Sequence, residues 1–186
     1  MTHFYTRKGD DGYTGLLGDE RVPKYHLRME AVGALDEATA ALGVARSTSH
    51  SADICEMVLT IQRDLYGLMA EISATPDNAA RFRVIDAGRV TWLESMTDTT
   101  SSKVELPREF ILPGDTQAGA FFGLSRTIIR RAERRVAELH HSGAIENQEI
   151  LRYLNRLSSL CFVLELWENQ LAGKPTPTLA KKDSNR

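Results

Sequence analysis

The stretch that decides the fold runs from Phe110 to Leu139 and reads FILPGDTQAGAFFGLSRTIIRRAERRVAEL. A turn at Pro113 and Gly114 precedes Asp115 or Thr116, and either of these two can accept the free N–H groups of a helix start. Apolar residues then recur with the helical period, which predicts an amphipathic helix of about six turns. Its core stripe is predicted at Phe121, Ser125, Ile128, Ala132, Val136 and Leu139.

Arginines cover the polar side of this helix. Arg126, Arg130 and Glu133 fall on one arc, about 120–180° from the core stripe, whereas Arg131 and Arg134 lie on the opposite flank. One interpretation is a solvated face with Arg–Glu pairs. The other is a polyanion site, because guanidinium groups bind phosphate oxygens in a bidentate manner.

The composition of the whole chain limits the classes of function. Its 186 residues are enough for one domain with an ordinary hydrophobic core. The 23 Lys and Arg against 25 Asp and Glu give a net charge of −2, which argues against a general affinity for nucleic acid or membranes. No apolar run approaches the ~18 residues of a membrane span, and the start lacks an apolar signal core. We therefore expect a cytoplasmic protein.

Residues 1–24 show no helical or strand period but are dense in glycine and charge. Glycine recurs at positions 9, 12, 15 and 18 and lets the backbone point successive N–H groups at a bound anion. Lysine, arginine and threonine suit phosphate, and Asp10 or Asp11 could hold water around a magnesium ion. Neither a standard phosphate loop nor an EF-hand loop matches. A disordered arm and an anion-binding arm therefore both remain open.

The helical period predicts four further helices, at residues 24–46, 51–74, 84–96 and 147–171. Polar loops are predicted at 77–83 and 97–103, and no strand is predicted. These elements give an all-α, up-and-down bundle of four long helices and one short one. The chain then divides into an arm at residues 1–24, a helical bundle at 25–172, and a Pro-, Lys- and Ser-rich tail at 173–186 that we expect to be disordered.

Two polar residues stand out on the apolar helices. Asp36 interrupts a face of small residues on the first helix, so it is either a plain exposed carboxylate or the partner of a cation. Asn155 interrupts the last helix, where it is either hydrogen-bonded structure or within reach of a ligand at an interface. Glu138 and His141 form a lone Glu-x-x-His pair at a helix end, so no metal site is predicted.

Three stretches together resemble the PduO-type ATP:corrinoid (cob(I)alamin) adenosyltransferases. They are TRKGDDGYTGLLGDERVPK with RMEAVGALDEATAALG, FILPGDTQAG with SRTIIRRAERR, and EILRYLNRLSSLCFVLELWEN, and they span roughly residues 4–172. The resemblance implies a five-helix, ferritin-like bundle assembled as a homotrimer, with ATP between neighbouring subunits and the corrinoid beside it. It also implies transfer of the 5′-deoxyadenosyl group of ATP to the cobalt of cob(I)alamin, with release of triphosphate.

The resemblance assigns roles to residues of both arm and helices. Arg130, Glu133 and Asn155 would complete the nucleotide site from the helices. Arg126 would pair with Asp36 of the adjacent subunit. The triphosphate and its magnesium would be wrapped by a set of arm residues, namely Thr6, Arg7, Gly9, Asp10, Gly12, Thr14 and Lys24.

Phe110 occupies the position at which this family places an aromatic ring against the lower face of the corrin. There it would displace the axial base and ease reduction of cob(II)alamin. The alternative is a core phenylalanine at a helix entry. A cob(II)alamin reductase and an adenosylcobalamin-dependent acceptor enzyme are the further partners that the resemblance implies.

The chain also departs from the family pattern. Ser159 stands where the NRLSD motif ends in an acid, Asp115 where the turn often reads PGG, and Ala38-Thr39 where the first helix usually reads DELN. The changed acid and turn support one alternative from a different class. That alternative is a non-catalytic helical carrier or sensor that binds ATP or adenosylcobalamin.

Overall fold

The bundle consists of four long helices and one shorter helix in a computed structural model that describes residues 5–181. The helices are α1 (Leu27–Thr48), α2 (Ala52–Ser73), the single turn α3 (Pro76–Ala79), α4 (Ala87–Ser101), α5 (Gln117–His141) and α6 (Glu149–Leu171). A 3-10 turn at Ala80–Phe82 follows α3. The predicted all-α bundle is confirmed.

Side-chain caps set the starts of four helices: His26 caps α1, and the other three caps are at α2, α4 and α5. The Ser51 hydroxyl accepts the Ile54 N–H of α2, and the Asp86 carboxylate accepts the Arg89 N–H of α4 at 2.8 Å. Thr116 Oγ1 accepts the Gly119 N–H of α5 at 3.0 Å. Each contact satisfies a backbone donor that has no partner inside its helix. Of the two predicted caps of α5, Thr116 is therefore the one used.

The core lies between α5 and its two neighbours, α1 and α6, while α2 packs on α1 and α4 on α6. The buried stripe of α5 differs from the prediction at two positions. Phe122 and Ile129 are fully buried, whereas Phe121 and Ile128 are only partly buried against the core. Because α5 contacts two helices at once, its apolar face is wide, and the centre of that face lies one residue further along than the period alone suggests.

The predicted loop at residues 97–103 is wrong, because α4 continues to Ser101. Thr97 Oγ1 donates to the Leu93 carbonyl at 2.8 Å, and Ser101 Oγ donates to the Asp98 carbonyl at 2.9 Å. Hydroxyl side chains that bond back to the preceding turn lose their tendency to compete with the helix. Thr100 is also buried, which gives this end of α4 a packing contact that composition does not reveal.

The N-terminal arm contains a short hairpin that the sequence does not predict. Strand β1 (Tyr13–Gly15) pairs antiparallel with β2 (Arg21–Pro23). Beyond the hairpin, the Leu17 N–H donates to the Ser73 carbonyl at 2.8 Å, and the Thr75 N–H donates to the Leu17 carbonyl at 3.2 Å. These two bonds attach the arm to the C-terminal end of α2. The sequence does not reveal the hairpin, because strands of three residues are too short to show an alternating period.

The beginning of the tail folds back onto the segment ahead of α5. The Asp115 carboxylate accepts the Thr178 N–H at 3.0 Å and the Thr178 hydroxyl at 2.6 Å. Lys174 Nζ donates to the Asp115 carbonyl at 2.7 Å. Composition predicts disorder from residue 173 onward, whereas these contacts give Lys174 and Thr178 defined partners. The predicted extent of the disordered tail stays a prediction. Amino-acid composition does not reveal that the Asp115 carboxylate holds this part of the tail by hydrogen bonds. Residues 182–186 lie outside the described range.

Candidate functional site

Two predicted nucleotide-site residues meet on the surface that α5 and α6 share. Asn155 Nδ2 donates to Glu133 Oε1 at 3.0 Å, and Asn155 Oδ1 accepts from Arg156 Nη1 at 2.9 Å. Arg156 is held in turn by Glu94, whose Oε1 accepts its Nε at 3.0 Å. These contacts hold the Asn155 amide at both ends, so its orientation is fixed.

Arg130 is exposed on α5, one turn before Glu133. Within the described range, its guanidinium has neither a hydrogen bond nor an ion pair, whereas Arg131 pairs with Glu37 of α1 and Arg135 lies 3.2 Å from Glu138. The two polar flanks of α5 therefore differ in whether their arginines are paired with acids. Arg–Glu pairs account for the flank of Arg131, and Arg130 keeps all its donors available to a ligand.

Asp36 and Arg126 are not brought together within one chain. Asp36 is exposed on α1, and Arg126 is half-buried on α5, where it borders a cleft. Across residues 5–181 neither side chain takes part in a salt bridge. The expected pairing between subunits therefore stays a prediction, and both groups are accessible for it.

Three predicted arm residues meet at one turn. The Gly12 N–H donates to the Gly9 carbonyl at 3.2 Å, and the Lys24 N–H donates to the Gly12 carbonyl at 2.9 Å. Gly12 has a φ of 80°, in the region that favours glycine. A Cβ atom on Gly9 would lie 3.1 Å from Lys24 Nζ. The missing side chain therefore lets the lysine ammonium lie directly over the turn.

The remaining arm residues flank this turn. Thr6 and Arg7 precede it, exposed, and Arg7 has a φ of 60°. Thr14 lies in the middle of β1, opposite Val22. The sequence around the Gly9–Gly12 turn thus carries hydroxyl groups and cations, a composition that suits phosphate.

The two acids of the arm differ in their contacts. Asp11 Oδ1 accepts the Tyr13 N–H at 3.1 Å and Arg21 Nη2 at 2.9 Å. The Tyr13 N–H, followed by Arg21, lowers the pKa of Asp11 below its ordinary value. The Asp10 carboxylate has no hydrogen bond or ion pair to any residue that the structure describes. Asp11 is thus a structural part of the hairpin, and Asp10 is the acid left for a ligand.

Phe110 lies at a cleft of about 350 Å³ between α5, α6 and the segment ahead of α5. Its side chain is 89% exposed, which rules out the core phenylalanine considered as an alternative. The Ala180 N–H donates to the Phe110 carbonyl at 2.7 Å, so the folded tail fixes this part of the backbone. The cleft wall combines the apolar residues Ile111, Pro113 and Phe162 with charged and polar ones, namely Arg108, Glu109, Arg126, Thr127 and Glu165.

Sequence reasoning missed Glu165, an α6 residue that also lines this cleft. Its side chain is only 2% exposed, and its Oε1 has no hydrogen-bond partner. Burial raises its pKa from 4.5 to about 7, while Arg126 acts in the opposite direction. The available signal was an acid inside the apolar run FVLELW, on a helix predicted to be enclosed.

Replacing Glu165 with glutamine is expected to stabilise the fold at pH 8 but not at pH 5. The carboxyl ionises near its ordinary pKa of 4.5 in the unfolded chain and near 7 in the folded one. The cost of the buried charge therefore grows as the pH rises between these values, and it is fully present above them. We expect a gain of about 1–2 kcal/mol in the free energy of unfolding at pH 8. Urea unfolding at both pH values measures it, and an equal gain at pH 5 would contradict this explanation.

Over residues 5–181, no helix is both long and apolar enough to cross a membrane. The same part of the chain contains no group of three or more His, Cys, Asp or Glu side chains arranged to hold a metal ion.

The structure thus joins a glycine-rich arm to the end of a helical bundle, leaves Arg130, one turn from Glu133, unpaired among the described residues, and exposes Phe110 at a cleft. The profile of the cobalamin adenosyltransferase family matches residues 4–168. The chain belongs to this family.

Characterised relatives agree with this assignment. The corrinoid adenosyltransferase PduO of Citrobacter freundii is 37% identical over 161 residues, which are 86% of this chain and 48% of that protein. The present chain thus spans about half the length of this relative. The corrinoid adenosyltransferase of Bacillus subtilis is 34% identical over 173 residues, covering 91% of this chain and 88% of that protein.

Solved structures agree as well. A phenylalanine-to-alanine variant of the PduO-type ATP:corrinoid adenosyltransferase from Lactobacillus reuteri, complexed with cobalamin and ATP, is similar with a TM-score of 0.88 and 29% identity. The match covers 97% of this chain and 100% of that one. An arginine-to-lysine variant of the enzyme from the same organism, complexed with ATP, has a TM-score of 0.87 and 29% identity over 96% of this chain and 100% of that one.

Proposed function

We propose that this protein transfers the 5′-deoxyadenosyl group of ATP to the cobalt of cob(I)alamin or a related reduced corrinoid, giving adenosylcobalamin and triphosphate. One observation carries the proposal. A single helix and the segment ahead of it carry both an arginine with free donors, Arg130, and an exposed aromatic at a cleft, Phe110. The family relationship supports the same reaction.

The proposed reaction needs no nucleophilic side chain from the protein. Co(I) supplies an electron pair that forms the bond to the 5′ carbon, and the bond from that carbon to oxygen breaks as triphosphate leaves with its electron pair. The protein would align cobalt with the 5′ carbon and stabilise the charge that accumulates on the triphosphate. Arg130 and Lys24 supply positive charge for that purpose.

The arm would bind the triphosphate and the helices would complete the nucleotide site. Thr6, Arg7 and Thr14 flank the turn of Gly9, Gly12 and Lys24, while Glu133 and Asn155 belong to the helical part. Asp10 fits a role beside magnesium, because its carboxylate is not committed to the hairpin and Mg²⁺ keeps several waters when it binds phosphates. The ion would neutralise part of the phosphate charge.

Each active site would lie between subunits of a homotrimer, so that the arm of one protomer faces the helices of the next. Asp36 is exposed, Arg126 is half-buried at the edge of a cleft, and neither has a salt bridge within residues 5–181. Their lack of ion-pair partners in that range supports this arrangement, since an ion pair between protomers would use both groups. The reaction starts from Co(I), so we also expect a cob(II)alamin reductase and an adenosylcobalamin-dependent acceptor enzyme as partners, in the cytoplasm.

Asp36→Ala and Arg126→Ala are each expected to lower kcat/KM by about tenfold or more, and the double variant to be no worse than either single one. The physical reason is that each substitution removes the same ion pair between subunits. Steady-state rates for the four proteins give the coupling energy directly. Losses that add up in the double variant would refute the pairing.

Glu37→Ala is the matched control for this cycle. Glu37 neighbours Asp36 on α1 but pairs with Arg131 of its own chain at an exposed position. An exposed ion pair contributes little, so we expect kcat/KM to stay within about twofold of the unchanged protein.

The proposed reaction is tested by mixing the protein with ATP, magnesium and chemically reduced cobalamin under anaerobic conditions. We expect the Co(I) spectrum to disappear as adenosylcobalamin and triphosphate form in equal amounts. Binding of ATP and cobalamin without triphosphate release would instead identify a carrier or sensor.

A further inference from the structure

The carboxyl group of Glu165 is a buried polar group that receives no hydrogen bond from residues 5–181. Its side chain is 2% exposed, and Oε1 lies in a position that solvent does not reach. In the described part of the protein, no hydrogen bond or ion pair involves either of its oxygens. Buried carboxyl groups nearly always have partners, because an unpaired one loses its hydration without compensation. An external donor would satisfy this group.

The position of the carboxyl group points to the cleft as the source of that donor. A Cβ atom on Gly123 would lie 3.0 Å from Glu165 Oε2 and 3.1 Å from the Pro113 Cβ. All three residues line the cleft beside Phe110. The glycine therefore leaves room for Oε2 at the wall of the cleft. Oε2, which also has no hydrogen bond from the described residues, is the carboxylate oxygen that a ligand edge can reach.

Several other ionisable groups surround Glu165. Arg126 of α5 favours its charged form, and Asp115, ahead of α5, opposes it. Cys161, one turn earlier on α6, is fully buried, and burial raises the pKa of its thiol to about 12, so it stays neutral. The remaining charged residues of the cleft wall, Arg108 and Glu109, are of opposite sign.

We propose that Glu165 accepts a hydrogen bond from a carboxamide N–H on the rim of the corrin ring, and that it thereby selects corrinoids with amidated side chains over corrinoids that carry free carboxylates. The inference rests on the proposed function. The corrin ring of cobalamin is edged by carboxamide groups, whereas less processed corrinoids carry carboxylates at the same positions. An amide N–H gives Oε2, the carboxylate oxygen at the cleft wall, the partner that the described residues do not supply. A carboxylate brings a second negative charge to a site with little water.

The test compares two corrinoids in the reduced state, cobinamide and a corrinoid with hydrolysed, carboxylate side chains. For the unchanged protein at pH 8, we expect kcat/KM to favour cobinamide by at least about tenfold. Glu165→Gln keeps a carbonyl acceptor but removes the charge, so kcat/KM for the carboxylate corrinoid should rise about tenfold while cobinamide is little affected. Glu165→Leu removes the acceptor too, and kcat/KM for cobinamide should fall about tenfold. KM for ATP should not change in either variant.

Glu168→Gln is the matched control, because Glu168 is a second buried acid on α6 that lines a different hollow with His50 and Thr116. The Glu168→Gln variant should show the same ratio of kcat/KM for the two corrinoids as the unchanged protein. An unchanged ratio in Glu165→Gln would overturn the inference. If the unchanged protein adenosylates neither these two corrinoids nor cob(I)alamin, the proposed function fails instead, and the visible-spectrum titration of each protein with the two oxidised corrinoids still tests the selectivity of Glu165.

Discussion

Replacing Arg130 with alanine is expected to lower kcat for adenosyl transfer by at least about a hundredfold. In the proposed reaction, negative charge accumulates on the departing triphosphate, and a guanidinium group can bind two of its oxygens at once. The fold should not change, because this exposed side chain makes no hydrogen bond or ion pair with the residues that the structure describes. Single-turnover loss of the Co(I) spectrum measures the rate, and thermal unfolding and sedimentation report the fold and the assembly.

Two variants make this result specific. Arg130→Lys keeps the charge but cannot form the two parallel hydrogen bonds, so an intermediate rate is expected. Arg135→Ala removes an arginine of the same helix that pairs with Glu138 at the surface, and its rate should equal that of the unchanged protein. A rate of Arg130→Ala within about threefold of the unchanged protein would remove Arg130 from the site.

The second large effect is expected for Phe110→Ala, which should lower the rate with corrinoid by at least about tenfold while ATP binding stays the same. The proposed role of the ring is to cover the lower face of the corrin and to displace its axial base. The loss should therefore be larger when cob(II)alamin must be reduced on the protein than when Co(I) is supplied. Comparing these two assays, with ATP affinity measured separately, tests the role directly.

Tyr66→Ala serves as the control for Phe110→Ala. Tyr66 is an aromatic residue of α2 that is 74% exposed, close to the 89% of Phe110, but it does not line the cleft. Neither substitution should lower the unfolding temperature by more than a few degrees. An equal loss in both corrinoid assays for Phe110→Ala would show that the ring does not act on the reduction.

Helical periodicity predicts most of the bundle because long helices repeat their signal many times. The buried stripe of α1, from Ala31 through Leu35, Ala38 and Leu42 to Ala45, lies where the period puts it. The predictions fail where the structure depends on a contact that does not repeat along a helix. Such a contact is either a side-chain bond within one helical turn or a bond between residues far apart in the chain. The last turn of α4 depends on hydroxyl groups that bond back to its own carbonyls, and the folded tail depends on Asp115, which is 63 residues from Thr178 along the chain.

The candidate site, too, is predicted only where the helical period decides the position of a residue. The helical period places Arg126, Arg130 and Glu133 on one arc, and the structure adds that Glu133 bonds to Asn155 of α6. The distinction between Asp10 and Asp11 is not visible in the sequence, because it depends on Arg21 reaching across the hairpin. In the sequence, Glu165 is visible only as an acid within an apolar run. Its position at the cleft wall depends on the space that Gly123 leaves on the facing helix, α5.

The attachment of the arm to α2 has a consequence for the affinity for ATP. Fixing the backbone of one residue costs about 1–2 kcal/mol of conformational entropy, so a free glycine-rich segment would weaken binding by the cost of ordering all of it. The two backbone hydrogen bonds of Leu17 and the pairing of β1 with β2 already confine most of the arm. Of the described arm residues, we therefore expect residues 5–8 to carry most of the ordering cost on ATP binding. We also expect the association rate to depend little on rearrangement of the hairpin.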